Sequence, residues 1–256
     1  MPDLAFLRIP RIERKLYKNL LALDTSTQHA ALALIVDADT RSTFVRVARP
    51  DPAIRHGRIL IPAIRDLLAE AGLTVADLDG LVVGLGPGSY TGLRIGITAA
   101  KTLAYAIGKP LAGLDSLEIV AHNAPDDQTF VTAIGDAQRG DFYAAEFARE
   151  CAGAPLRRIS ETRVISLAKW LEQLPDHAFI LGPALEVPRL TAGIPSHLRR
   201  PENPRWNGPD PQALAALASD VWRNGERQDV FFVEPAYLRR SAAEDLWEQK
   251  GKAPSP

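Results

Sequence analysis

Residues 84–96 read Gly-Leu-Gly-Pro-Gly-Ser-Tyr-Thr-Gly-Leu-Arg-Ile-Gly and run from the apolar stretch Leu81-Val82-Val83 straight into an alanine-rich helical pattern. Glycine reaches backbone angles and contact distances closed to residues with a Cβ, so this density at a strand-to-helix junction means that some group lies against the main chain. Spacing removes two familiar occupants. A P-loop needs G-x-x-x-x-G-K-[ST], yet Thr91 stands five positions after Gly86 and Leu93 five after Gly88. The dinucleotide fingerprint G-x-G-x-x-G fails as well, because Ser89 and Thr91 occupy the third positions after Gly86 and Gly88.

The helix that follows is apolar on two sides. On a 100° wheel, Leu93, Ile97, Ala100, Ala104 and Ile107 fall on one side and Ile95, Gly96, Ala99, Leu103 and Ala106 on the other. Arg94, Thr98, Lys101 and Tyr105 leave only a narrow polar stripe. One side is expected to bury against its own sheet, and the other needs a second cover. Gly96, Ala99 and Ala100 are small enough for another helix to approach closely. Two readings stand level on the residues alone: a helix central to its own domain, or a helix at an interface. The stretch from Asp51 to Ala71 supplies part of the cover through Ile61, Ile64, Leu68 and Ala71, and a partner chain is expected to supply the rest.

Around this segment the pattern predicts strands at Leu20–Leu23, Ala30–Val36 and Thr43–Ala48, and a helix opening at Asp51-Pro52, interrupted by Pro62 and ending near Gly72. A strand at Gly80–Leu85, the helix to Gly108 and a strand at Pro110–Leu114 complete a β-β-β-α-β-α-β order. The second half predicts a hairpin, Phe130–Gly135 with Asp141–Phe147, a helix at Ser166–Leu174, a strand at Phe179–Leu181, a proline-rich loop from Pro195 to Pro211, and a helix that Asp210-Pro211 opens and Gly225 closes. Residues 1–18 read as a flexible extension, 19–115 as a first lobe, 116–240 as a smaller second lobe and 241–256 as a frayed tail.

Thirty basic side chains against 31 acidic ones give a net charge of −1, which argues against a broad nucleic-acid surface on this chain. No run of about 18 apolar residues indicates a membrane span, and no signal-peptide core is present, so a cytoplasmic protein is expected. The single cysteine, Cys151, excludes an internal disulfide.

Four segments in order carry a family resemblance: Leu23-Asp24-Thr25-Ser26-Thr27; His56 followed by Leu60-Ile61-Pro62; Gly86-Pro87-Gly88-Ser89-Tyr90-Thr91-Gly92-Leu93-Arg94-Ile95-Gly96; and Asp136-Ala137-Gln138-Arg139-Gly140. Together with Glu234-Pro235-Ala236-Tyr237-Leu238-Arg239 they closely resemble the TsaB (YeaZ) family of Gcp-like, peptidase M22-like proteins. The resemblance implies an α/β, two-lobed actin/Hsp70/sugar-kinase-like (ASKHA) fold with mixed sheets flanked by helices. It implies a non-catalytic subunit of the machinery that makes threonylcarbamoyladenosine (t6A) in tRNA, partnered by the catalytic paralogue TsaD and the ATPase TsaE, and a homodimer when alone. Contact with tRNA is expected only through the complex.

In that family two first-lobe helices form the homodimer or TsaD interface. The corresponding residues here are Ile61, Ile64, Leu68, Gly88, Ser89, Tyr90, Gly92, Leu93, Gly96, Ile97, Ala99, Ala100 and Leu103, with His56, Arg94 and Arg139 as further partner contacts. The metal-binding His-x-x-x-His pair of TsaD-like proteins is replaced by Ser116 and Val120, so no metal is expected. Asp24, Thr25, Ser26 and Thr27 are nucleotide-binding candidates, with a capped hairpin as the other reading. The second-lobe glycine pairs are reduced to Gly135-Asp136-Ala137-Gln138 and Gly182-Pro183-Ala184, so no cofactor is expected beyond ATP or ADP at an interface with partners. The competing function is a free-standing ATP-dependent kinase or metallopeptidase of the same fold. An RNA-binding module is disfavoured by the charge balance.

Overall fold

The computed structural model describes residues 19–36, 44–49 and 56–239. Its first half comprises strands β1 (Asn19–Asp24), β2 (Ala31–Val36) and β3 (Phe44–Ala48), helix α1 (His56–Glu70), β4 (Gly80–Gly84), α2 (Tyr90–Ile107), β5 (Leu111–Leu114) and α3 (Ser116–Ala121). The second half adds β6 (Phe130–Asp136), β7 (Asp141–Ala148), β8 (Arg157–Arg158), β9 (Arg163–Ser166), α4 (Leu167–Gln173), β10 (Phe179–Leu181), α5 (Pro188–Thr191) and α6 (Pro211–Arg223).

Strand alternation builds a first sheet with two buried faces. Its order is β3-β2-β1-β4-β5, antiparallel through β1 and parallel beyond it. Leu21, Leu23, Leu32, Leu34, Leu81 and Val83 point to the face that α1 and α2 cover. The opposite face carries more small residues, Ala22, Ala31, Ala33, Val82 and Ala112 beside Leu20, Ile35 and Leu114, and α6 lies on it through Leu214, Ala215 and Ala218. The small side chains let α6 come close, and Trp222 locks its end: a Cβ on Gly80 would stand 1.8 Å from the indole ring. Asp210 caps α6 by accepting from the Gln212 and Ala213 amides at 2.7 and 3.3 Å, with Pro211 in the first turn where its missing N–H costs nothing.

The second sheet, β10-β6-β7-β8 with β9 also on β7, is smaller. Helix α3 covers one face with Leu117, Val120 and Ala121, and α4 and α5 cover the other with Trp170 and Leu190. The chain order thus places strands and helices near where the sequence pattern puts them. Short elements escape that pattern: α5 is four residues, β8 is two arginines, and β9 is four residues fused directly to α4. The start predicted at Asp51-Pro52 lies outside the described residues, and α1 is described from His56 with Pro62 inside it.

The division into lobes needs a correction. Residues 116–240 do not form one unit, because α6 packs on the first sheet and Val233, in the segment after it, joins the core under α2. The second lobe therefore lies between β5 and α6 in the chain, and the chain then returns to the first sheet.

Filling the Gly80 notch tests this closure. Gly80→Val is expected to destabilise the protein by about 1–3 kcal/mol through overpacking against Trp222, read as a lower urea midpoint; an unchanged midpoint would show that α6 does not hold the sheet as described.

Candidate functional site

The glycines after β4 lie against the chain's own β1–β2 turn. A Cβ on Gly88 would stand 2.4 Å from the Ser26 carbonyl oxygen, one on Gly92 2.1 Å from that of Thr25, and one on Gly96 2.1 Å from Thr25 Oγ1. No side chain fits at any of the three. The group that approaches the main chain at Gly88, Gly92 and Gly96 is thus residues 25–26 of the same chain. Hydrogen bonds fix the contact: the Ser89 amide donates to the Ser26 carbonyl at 2.7 Å, and Thr25 Oγ1 donates to the Gly92 carbonyl at 2.8 Å. Ser89 caps α2 by accepting from the Gly92 amide at 3.2 Å.

Asp24 sits beneath this junction, fully buried. Its Oδ1 accepts from the Ser26 amide at 2.7 Å and its Oδ2 from the Ser116 hydroxyl at 2.6 Å. Ser116 is tied in turn to the glycine segment, accepting from the Gly86 amide at 3.1 Å while its own amide donates to the Gly86 carbonyl at 2.8 Å. A Cβ on Gly84 would stand 1.9 Å from Asp24 Oδ2, so the carboxylate occupies the space a side chain would need. Burial pushes the Asp24 carboxyl above its ordinary range, the Ser116 and Ser26 hydrogen bonds pull it part of the way back, and the charge of Asp115 adds to the rise. His56 Nε2 lies 2.7 Å from the Thr27 carbonyl, a contact that requires the proton on Nε2 and turns this residue inward.

Across the cleft, the tip of the same turn meets the second lobe. Gln28 Nε2 donates to Glu186 Oε2 at 3.2 Å, and His29 Nε2 lies 3.7 Å from the same oxygen. Gly182, at φ 128°, lies against the Ile134 backbone, where a Cβ would come within 2.2 Å of its carbonyl oxygen, and its amide donates to Asn207 Oδ1 at 3.1 Å. Asn123 Nδ2 bridges the Trp206 and Gly208 carbonyls at 2.9 and 2.8 Å. The nucleotide candidates Asp24, Thr25, Ser26 and Thr27 are therefore brought together, buried and bonded to their own chain. Among the described residues no group of three or more His, Cys, Asp or Glu side chains could hold a metal ion.

The interface candidates separate into two sets. Ile64, Leu68, Gly92, Leu93, Gly96, Ile97 and Ala100 are buried within the first lobe, where they seal its own core. The wheel had placed Gly96 on the outer side; its contact with Thr25 puts it on the inner one. Ile61 is 53% exposed and Tyr90 47%, while Ile95, Ala99 and Leu103 are half-buried beside α1. Arg94 turns to its own chain, with its guanidinium over the Tyr90 ring at 4.1 Å and its Nε donating to Tyr237 Oη at 3.0 Å. Arg139 stands in the β6–β7 turn at φ 56°. Ser116, Asn207 and Tyr237 are the site residues that sequence reasoning missed as such. Ser116 carried a signal, since a serine stood where a ligand was absent, but its partner lies 92 positions away.

Two α/β lobes, one with the strand order 3-2-1-4-5 and the other built on a shorter version of it, meeting across the Asp24 and Gly182 turns, define an actin/Hsp70/sugar-kinase-like protein. Residues 49–247 match the family described as TsaD, tRNA N6-adenosine threonylcarbamoyltransferase. The chain belongs to this family, in its TsaB (YeaZ) branch. It is 29% identical over 247 residues to the tRNA threonylcarbamoyladenosine biosynthesis protein TsaB of Bacillus subtilis, covering 91% of this chain and 99% of that protein. It is equally 29% identical over 231 residues to TsaB of Escherichia coli, covering 88% and 96%. The solved structure of YeaZ from Pseudomonas aeruginosa matches with a TM-score of 0.68 at 26% identity, over 86% of this chain and all of that one.

The raised Asp24 pKa has a definite sign. A carboxyl that is harder to ionise in the folded state leaves stability intact below its unfolded pKa of about 4 and removes it as pH rises through the folded value. Asp24→Asn, which keeps the shape and one acceptor while replacing the other with an amide donor and removing the titration, is expected to lose that decline. Urea unfolding from pH 4 to pH 8 should show wild type falling relative to the variant; parallel curves would mean that burial does not govern Asp24.

Proposed function

We propose that this chain is a non-catalytic partner subunit in t6A biosynthesis, binding and supporting a TsaD-like catalytic paralogue. The observation that carries the reading is the closed phosphate turn: Asp24, Thr25 and Ser26 are buried and engaged by Ser116 and by the backbone of Gly88–Gly92. A fold that elsewhere offers such a turn to a ligand here spends it on internal packing. The names of the full-length relatives supply the pathway. In this reading the TsaE-like ATPase joins the same complex, tRNA is met through the partners, and the subunit works in the cytoplasm and pairs with itself when alone. Among the described residues no helix is long and apolar enough to cross a membrane.

The docking face consists of the solvent side of α1 and α2, with Ile61 and Tyr90 at its exposed edge and Ile95, Ala99 and Leu103 behind them. This is narrower than the whole glycine and alanine stripe, because Ala100 is fully buried against the sheet and a charged residue there would unfold the lobe before it tested an interface.

Ile61→Glu is the sharper probe. An exposed apolar anchor lost from an interface weakens association by at least about tenfold, so the variant should keep its circular dichroism, fail to co-purify with the paralogue and lower t6A formation in a reconstituted assay. Undiminished capture of the paralogue by Ile61→Glu would reject this face. ATP turnover or stoichiometric metal in the purified chain alone would reject the non-catalytic reading itself.

A further inference from the structure

The segment after α6 does not trail off but crosses the molecule in contact throughout. Gln228 begins it by pairing with the edge of the first sheet, its amide donating to the Leu111 carbonyl at 2.8 Å. Lys101, from the polar stripe of α2, then donates to the Phe231 and Val233 carbonyls at 3.2 and 3.0 Å, and Val233 buries its side chain in the core. The Ala236 amide donates to the Leu85 carbonyl at 2.8 Å, holding the segment beside the start of the glycine turn. Tyr237 stacks on Tyr90 at 5.2 Å between centroids while its hydroxyl accepts from Arg94. Up to this point every partner belongs to the first lobe.

Arg239 reaches the second. Its Nη1 donates to the Ala137 and Gln138 carbonyls at 2.6 and 2.9 Å and lies 3.1 Å from Asp141 Oδ2. These groups form the β6–β7 turn, in which Gln138 and Arg139 both hold positive φ, 66° and 56°, a conformation that residues with a side chain adopt rarely. A turn of this kind needs support, and its carbonyls find it in a guanidinium delivered from the other lobe. Arg189 holds the Asp136 side of the same turn from within the second lobe.

We propose that residues 228–239 are an inter-lobe brace: Lys101, Tyr90 and Arg94 anchor it along α2, and Arg239 clasps the β6–β7 turn, fixing the angle between the lobes. The lobes are also joined by the chain at Leu114–Ser116, by the chain at Asn207–Pro211, by the Ser116–Asp24 and Gln28–Glu186 contacts and by the packing of α3 on α6. Two chain crossings close together act as a hinge, and a third tie away from them stops the hinge from swinging. The brace lies along one flank of α2 and α1 along the other, so the lobe angle and the exposed face of that helix are mechanically linked.

The test uses the full chain with Cys151→Ser, and spin labels on Ala69→Cys in α1 and Ala168→Cys in α4, both exposed. Arg239→Ala is expected to broaden the inter-label distance distribution. Amide exchange at Ala137 and Asp141 should rise by about tenfold, as when a charged hydrogen-bond donor is lost from an exposed turn, while exchange in β4 and α2 stays unchanged. Tyr237→Ala, which removes the Tyr90 and Arg94 anchors nearest Arg239 without touching the turn, should broaden the distribution in the same direction. A distance distribution that stays as narrow as wild type in both variants would overturn the brace, as would faster exchange confined to the turn with no change in distance.

Discussion

The contact on which everything else depends is backbone against backbone at the head of α2. Thr25 and Ser26 approach Gly88 and Gly92 so closely that a single methyl group at either glycine would stand within 2.4 Å of a carbonyl oxygen. This contact sets how deep α2 sits in the first sheet, since Leu93, Ile97 and Ala100 follow the glycines along the same side of the helix. It also sets where Asp24 ends up, because the carboxylate fills the space beside Gly84 that the tight junction leaves open. A buried carboxylate is costly unless its oxygens are bonded. Ser116, arriving from the head of α3, supplies one bond and thereby couples the second lobe's first helix to the first lobe's turn.

The two faces of the first sheet solve different packing problems. The face under α1 and α2 is rich in leucine and needs two helices to cover it, whereas the alanine-rich face accepts one helix at close range. That asymmetry fits the return of α6 from beyond the second lobe: it covers Ala22, Ala31 and Ala33, with Ile119 of α3 in the same cluster. Once α6 is in place, the segment behind it emerges at the edge of β5 and has α2 as its nearest surface. The polar stripe of Arg94, Lys101 and Tyr105, which reads in the sequence as solvent-facing, is thus the track on which the chain's own end is laid.

How much of this was legible follows from the range over which each signal acts. Strand alternation, the Asp210-Pro211 cap and the glycine at position 108 act locally, so the elements of the first lobe and α6 could be read to within a few residues. The glycine stretch announced that something lies close, but not what, because the answer depends on a turn more than sixty positions earlier in the chain. Tyr237 and Arg94, 143 positions apart, carried no sign of each other. The same holds for the lobe boundary: composition does not distinguish a helix that stays with its sequence neighbours from one that returns across the molecule.

A phosphate turn binds anions by presenting free amide donors in a small arc. Here the Ser26 amide is spent on Asp24, the Ser89 amide on the Ser26 carbonyl and the Gly86 amide on Ser116. The carboxyl group that receives the first of them is itself buried and bonded to Ser116 as well, so it has few partners to spare. Reopening the turn for a ligand would require Ser116 and the α2 glycines to withdraw together, which means unpacking the head of the helix from the sheet. The contacts that seat the head of α2 on the first sheet are therefore the same contacts that occupy these three amides.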